Sequence, residues 1–117
     1  MQPKLYILTR TDLRGVSSPG VQAGHAIAQY LIENPNTEWD NGTLIYLGIS
    51  CEDELEYWKD KLNWKGLTYA EFREPDINNE LTAIACCTNT KIFGKLRLLG
   101  EDNEQRNHNR QRVLCCM

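Results

Sequence analysis

Apolar positions along this chain follow two periods, one of strands and one of helices. Lys4-Leu-Tyr-Ile-Leu-Thr9 is a short apolar run ended by Arg10, which predicts a buried strand. Thr11 to Ser18 reads as loop. Ser18-Pro19 then marks a helix start, with Ser as cap and Pro at the first helical position. The helix should run to about Glu33, with Val21, Gly24, His25, Ala28 and Ile32 forming one apolar face expected to pack inward. Its small residues (Ala23, Gly24, Ala26, Ala28) should let it lie close to a sheet. After a polar connection from Asn34 to Gly42, Thr43 to Ile49 reads as a second buried strand. Ser50-Cys51-Glu52-Asp53 resembles a capping box. It opens a helix to about Trp64 with Leu55, Trp58 and Leu62 as the buried stripe, stopped by Gly66. Leu67 to Phe72 and Leu81 to Cys87 read as the third and fourth strands, joined by the tight polar loop Glu74 to Glu80. Thr88-Asn89-Thr90 is expected to cap a short helix through Leu99.

This order predicts one α/β domain over residues 1–99, a three-layer α/β/α arrangement with a mixed four-stranded sheet. Strands joined through a helix should run parallel, and the last two, closely linked, antiparallel if they are neighbours. Residues 100–117 read as a polar C-terminal tail.

Composition narrows the function classes. The chain has 117 residues, 41% hydrophobic and 25% charged, which suits a single soluble globular domain. A net charge of −3 argues against a protein that coats nucleic acid. The charge is uneven, however: residues 1–30 carry +2, residues 31–80 carry −8 and residues 81–117 carry +3. If the two ends meet, the domain has a positive face. No apolar run reaches membrane-spanning length and the N-terminus does not read as a signal peptide, so no membrane and a cytoplasmic location are expected. The cysteines, Cys51, Cys86, Cys87, Cys115 and Cys116, show no CxxC or zinc spacing and are expected to be reduced thiols without chemistry. The signatures of dinucleotide oxidoreductases, P-loop enzymes, elbow-type serine hydrolases and zincins are missing.

A few residues remain as candidates for chemistry. His25 lies two turns into the first helix and reads either as a core histidine or as a site residue. Pro75 would stiffen Glu74 and Asp76 into one geometry, as a catalytic carboxylate needs. Thr82 opens the last strand as a hydroxyl or as an ordinary strand residue. The helix start at Ser18-Pro19-Gly20 offers backbone N–H groups to an anion. Trp39, Trp64 and Tyr57 would stack on bases if exposed.

Together these pieces resemble one family. Lys4-Leu-Tyr-Ile-Leu-Thr-Arg-Thr-Asp-Leu13 is similar to the first strand of the type II peptidyl-tRNA hydrolases. Gln22-Ala-Gly-His25-Ala26 resembles their Gln-x-x-His-Ala motif, and Ile92-Phe-Gly-Lys-Leu-Arg-Leu-Leu99 is similar to their closing segment. The resemblance spans residues 4–99 and implies a peptidyl-tRNA hydrolase II-like fold. It also implies cleavage of the ester between peptide and tRNA by activated water, without metal or other cofactor. Carried over, it implies His25, Thr82 and either Asp76 or Glu74 as catalytic residues. Gln22, Arg14, Ser18, Lys91 and Lys95 would bind substrate. The family's lysine position holds Ser18 here, and Arg14 is the nearby cation. The alternative is a non-catalytic domain of this fold that binds RNA, a nucleotide or a protein partner, with a homodimer as one such arrangement.

Overall fold

The structure, a computed structural model, describes residues 2–100. Four strands, β1 (Lys4–Arg10), β2 (Leu44–Ile49), β3 (Tyr69–Glu74) and β4 (Glu80–Thr88), form one sheet in the order β2-β1-β4-β3. β1 and β2 are parallel, and β4 runs antiparallel to both β1 and β3. Parallel strands need long crossovers, supplied here by α1 (Pro19–Glu33) between β1 and β2 and α2 (Glu52–Lys65) between β2 and β3. The β3–β4 link is short. It turns through Pro75–Ile77 and then Asn78 and Asn79, whose φ angles of 61° and 59° asparagine tolerates better than most residues. The domain is therefore α/β with a mixed four-stranded sheet, as expected.

The strand period of two sends alternate side chains to opposite faces, and each face carries one helix. Leu8, Leu47, Ile49, Ile84 and Cys86 meet Leu55, Trp58 and Leu62 of α2. Leu5, Ile7, Ala83 and Ala85 meet Ala23, Ala26 and Tyr30 of α1. Burying each large α2 side chain stabilises by about 1.5–3 kcal/mol. α2 is also well terminated. Its N-cap is Cys51, and the carboxylate of Glu54 reaches back to accept from Ser50 N–H (3.0 Å) and Ser50 Oγ (2.7 Å). The acid that reaches back is thus Glu54 rather than Asp53, and it bonds Ser50 one residue before the N-cap. The Cys51 side chain makes no capping bond, so the expected box with Ser50 as cap is not what closes this end. Gly66, at φ 70°, ends the helix in the left-handed region that glycine enters freely.

Several expectations fail, each for a physical reason. The face of α1 expected inside points outward: Val21, Gly24, His25 and Ala28 are exposed and Ile32 is 72% exposed. The sheet beneath α1 is paved with Ala70, Ala83 and Ala85, so close approach selects Ala23 and Ala26 over larger side chains. The segment after β4 forms turns, not a helix. Arg97 C=O accepts from Gly48 N–H (2.9 Å) and Leu99 N–H donates to Tyr46 C=O (2.9 Å), which covers the outer edge of β2. Ser18 takes the N-cap position of α1, but its side chain makes no capping bond. Trp39 is buried and donates Nε1–H to Thr43 C=O (2.8 Å), so it offers no stacking surface. Cys86 and Cys87 are free thiols, and burial pushes Cys86 up to about 12. Cys51 is disulfide-bonded, against the expectation of reduced thiols throughout. The expected tail beyond Gly100 lies outside the described residues. Among those described, no helix is long and apolar enough to cross a membrane.

Candidate functional site

The site starts from a register shift. Phe72 of β3 pairs with Ala83 of β4, but the next residue, Arg73, pairs with Leu81. Thr82 is therefore the extra residue of a β-bulge, the device by which a sheet re-aims one side chain. A regular strand would send Thr82 to the same face as Ile84, toward α2. The bulge turns it to the α1 face, where its hydroxyl donates to Gln22 Oε1 (2.6 Å).

The polar groups that the bulge frees are taken up by side chains. Leu81 N–H donates to Glu52 at the start of α2 (2.9 Å), and Leu81 C=O accepts from Arg10 (3.1 Å). Arg10 is nearly buried and also grips Glu80 (2.8 Å) and, through two nitrogens, Asp12 (3.0 and 2.9 Å). Burial disfavours its charge, but the bonds to Asp12 and Glu80 outweigh that and raise its pKa above the ordinary value.

Gln22 is wholly buried on the first turns of α1, and buried amides need partners. Its Nε2 donates to Glu74 Oε1 (2.9 Å). The orientation follows from chemistry: an ionised carboxylate only accepts, so the amide presents its nitrogen to Glu74 and its oxygen to Thr82. The other oxygen of Glu74 accepts from Asp76 N–H (3.2 Å). The Gln22 amide, then the Asp76 N–H, and the nearby His25 hold Glu74 below the ordinary carboxylate range, so it is ionised at neutral pH. The resulting line of contacts runs Thr82 to Gln22 to Glu74.

His25 lies one helical turn after Gln22, so both sit near the same end of α1. It is exposed, and its ring stacks on Phe72 with centroids 4.4 Å apart and planes at 11°. The core-histidine reading is thus excluded. The start of α1 is pinned to the sheet by Thr9, whose hydroxyl donates to Pro19 C=O (2.9 Å). Intrahelical bonding begins at Gln22 N–H, which donates to Ser18 C=O (3.1 Å). The N–H groups of Gly20 and Val21 in the first turn are left outside that ladder.

Not all expected site residues come together. Gln22, Glu74, Thr82 and His25 do. Asp76 contributes its backbone to Glu74, while its side chain is exposed. Arg14 is exposed at the same end, its guanidinium donating to Thr11 C=O (3.0 Å) and Leu13 C=O (2.9 Å). Lys91 follows Thr88, which pairs with Lys4 at the opposite end of the sheet, so it does not flank the site. Lys95 follows Phe93, which packs in the α2-side core, so its segment leaves the sheet on the face away from α1. Sequence reasoning missed Phe72, Thr9, Arg10 and Glu52. For Arg10 a signal was present: a charge ending an apolar strand must find partners where the strand ends.

No protein-family model matches the chain, and no curated protein is significantly similar to it.

Proposed function

We propose that this protein is a peptidyl-tRNA hydrolase II-like carboxylic ester hydrolase of the cytoplasm, which cleaves the bond between peptide and tRNA with activated water. The observation that carries the reading is the bonded line Thr82–Gln22–Glu74, with His25 exposed one helical turn beyond Gln22 and stacked on Phe72. The Arg-x-Asp-Leu and Gln-x-x-His-Ala resemblances support it. The chemistry asks for a base, a group to stabilise the base once protonated, and donors for the oxyanion. Glu74 is weakened as a base by its donors, and His25 is the exposed side chain at the same end of α1 with a ring nitrogen that can accept a proton. His25 accordingly takes the proton from water, and the anionic Glu74 stabilises the imidazolium that forms. The hydroxide adds to the ester carbonyl. The tetrahedral oxyanion is met by donors at the start of α1, and collapse releases the tRNA 3′ oxygen, which regains a proton from His25. Arg14 would face tRNA phosphate. Lys91 and Lys95 have no part in this reading.

One observation favours a second reading. Ser18, not a lysine, stands at the start of α1, and its side chain caps nothing. A non-catalytic domain of this fold, binding RNA, a nucleotide or a second copy, would need no lysine there.

The deciding experiment mixes purified protein with N-acetyl-aminoacyl-tRNA and follows release of the acyl group. Hydrolysis by the wild type is expected, with loss of about 100-fold or more in both His25→Ala and Glu74→Gln. His25 is exposed, so its variant should fold normally by circular dichroism. An inactive wild type, or full activity in His25→Ala, overturns the reading and leaves the binding domain.

A further inference from the structure

At the end of α1 away from His25, the chain leaves the helix through Asn34-Pro35-Asn36. There it borders an open groove of about 540 Å³ against the end of β4, with Glu33 and Glu38 exposed at its rim. That is the size of a small-ligand site. Its walls include Tyr30, Glu33, Thr37, Glu38, Thr68 and Cys87, and no described Lys or Arg lines it. Lys4, across the ladder from Thr88, is not part of the wall.

Among the described residues, no cation in the wall balances the carboxylates of Glu33 and Glu38. Glu33 sits in the last turn of α1, where the exposed carbonyls already concentrate partial negative charge, and no basic residue shares that turn. An acid there opposes the helix dipole by about 0.3–1 kcal/mol. Its carboxylate accepts from Gln29 (2.7 Å), a neutral donor. Neither Glu33 nor Glu38 has an ion-pair partner among the described residues, whose ion pairs lie around Arg10, Lys59 and Arg73. α2 shows the ordinary arrangement, with acids in its first turn and Lys65 in its last. Deeper in the wall, Tyr30 Oη and Thr37 Oγ1 are bonded to each other (2.9 Å), and Thr37 Oγ1 also accepts from Trp39 N–H (3.2 Å). No three His, Cys, Asp or Glu side chains of the described residues are grouped to share a metal ion. The walls suit a cation that supplies its own N–H donors.

We propose that this groove binds an aliphatic di- or polyamine, with ammonium groups at Glu33 and Glu38. The inference stands apart from the hydrolase reading, because the groove lies at the other end of α1.

The test is titration calorimetry of the full chain with spermidine at low salt, with 1,8-octanediol as an uncharged chain of similar length. One saturable spermidine site per chain is expected, with amide resonances of Thr37, Glu38 and Cys87 shifting on binding. Glu33→Gln/Glu38→Gln should weaken it about tenfold or more. Asp53→Asn/Asp60→Asn, which removes equal charge from the exposed side of α2, should leave it unchanged. The proposal is overturned by any of three results: no saturation below ~10 mM spermidine, equal binding of the diol, or equal weakening by both double variants, which would mean attraction to net charge alone.

Discussion

The two helices solve the same packing problem in opposite ways. α2 obeys local rules at its ends and along its buried stripe: an acidic first turn, a carboxylate reaching back over its N-terminus, a glycine at its end, and Leu55, Trp58 and Leu62 turned to the sheet, with Tyr57 and Trp64 left outside. α1 breaks most of them. It has no charge before Glu33, no side-chain cap, a buried glutamine and an exposed apolar stripe. α2 behaves as a stabilising element. On α1, features that do little for stability coincide with Gln22 and His25, which is what a site built at some expense of stability looks like.

The contrast is most sharply tested in the two apolar stripes. Leu62 of α2 is fully buried, and Leu62→Ala should cost about 3 kcal/mol through lost transfer energy and the cavity left behind. Ile32 of α1 fits the same helical pattern but is 72% exposed, so Ile32→Ala should cost less than ~0.5 kcal/mol. Urea unfolding of both variants measures this. Equal losses would mean that α1 buries its stripe against something, and the comparison would break.

A smaller effect is expected where α1 spends buried polarity. Thr82→Val keeps the shape but leaves Gln22 Oε1 buried without its 2.6 Å donor, at a cost of about 1–3 kcal/mol. If the line Thr82–Gln22–Glu74 positions the carboxylate, the side-chain amide resonances of Gln22 should also shift in Thr82→Val. A stability change under ~0.5 kcal/mol with unmoved Gln22 signals would show the line to be incidental.

The same contrast explains what was legible in the sequence. β1 and the stripe of α2 follow from pattern because their apolar positions and their burial coincide. β2 is found as a strand but not as the buried one expected, since it lies at the sheet edge with Leu44 exposed and Ile45 and Tyr46 half-buried. The stripe of α1 misleads because periodicity reports which side is apolar and not which side is close to the sheet. That choice belongs to Ala70, Ala83 and Ala85, distant in the chain. Gln22, His25, Glu74 and Thr82 are nameable from the motif resemblance. The bulge that turns Thr82 to Gln22 depends on how Arg73 pairs with Leu81, and no local signal shows that register. Lys91 and Lys95 were grouped with the site by charge alone, but chain order says neither at which end of a strand a residue emerges, as for Lys91, nor on which face of the sheet its segment runs, as for Lys95.

The smallest effect separates the helices at their glycines. Gly24 is mid-helix, with a right-handed backbone, and a Cβ built there meets nothing within 4 Å. Gly66 has φ +70°, and a Cβ there also meets nothing, so space does not distinguish the two. Backbone conformation does. At Gly24 alanine lowers the entropy of the unfolded chain and suits the helix, so Gly24→Ala should stabilise by about 0.5–1 kcal/mol. At Gly66 the left-handed conformation penalises any Cβ, so Gly66→Ala should destabilise by about 1 kcal/mol. For a domain of this size the melting temperature should rise by about 4 °C in the first variant and fall by a similar amount in the second. If Gly24→Ala instead leaves stability unchanged or lowers it, the outer face of α1 is not free in solution, and the glycine is there because something else packs against it.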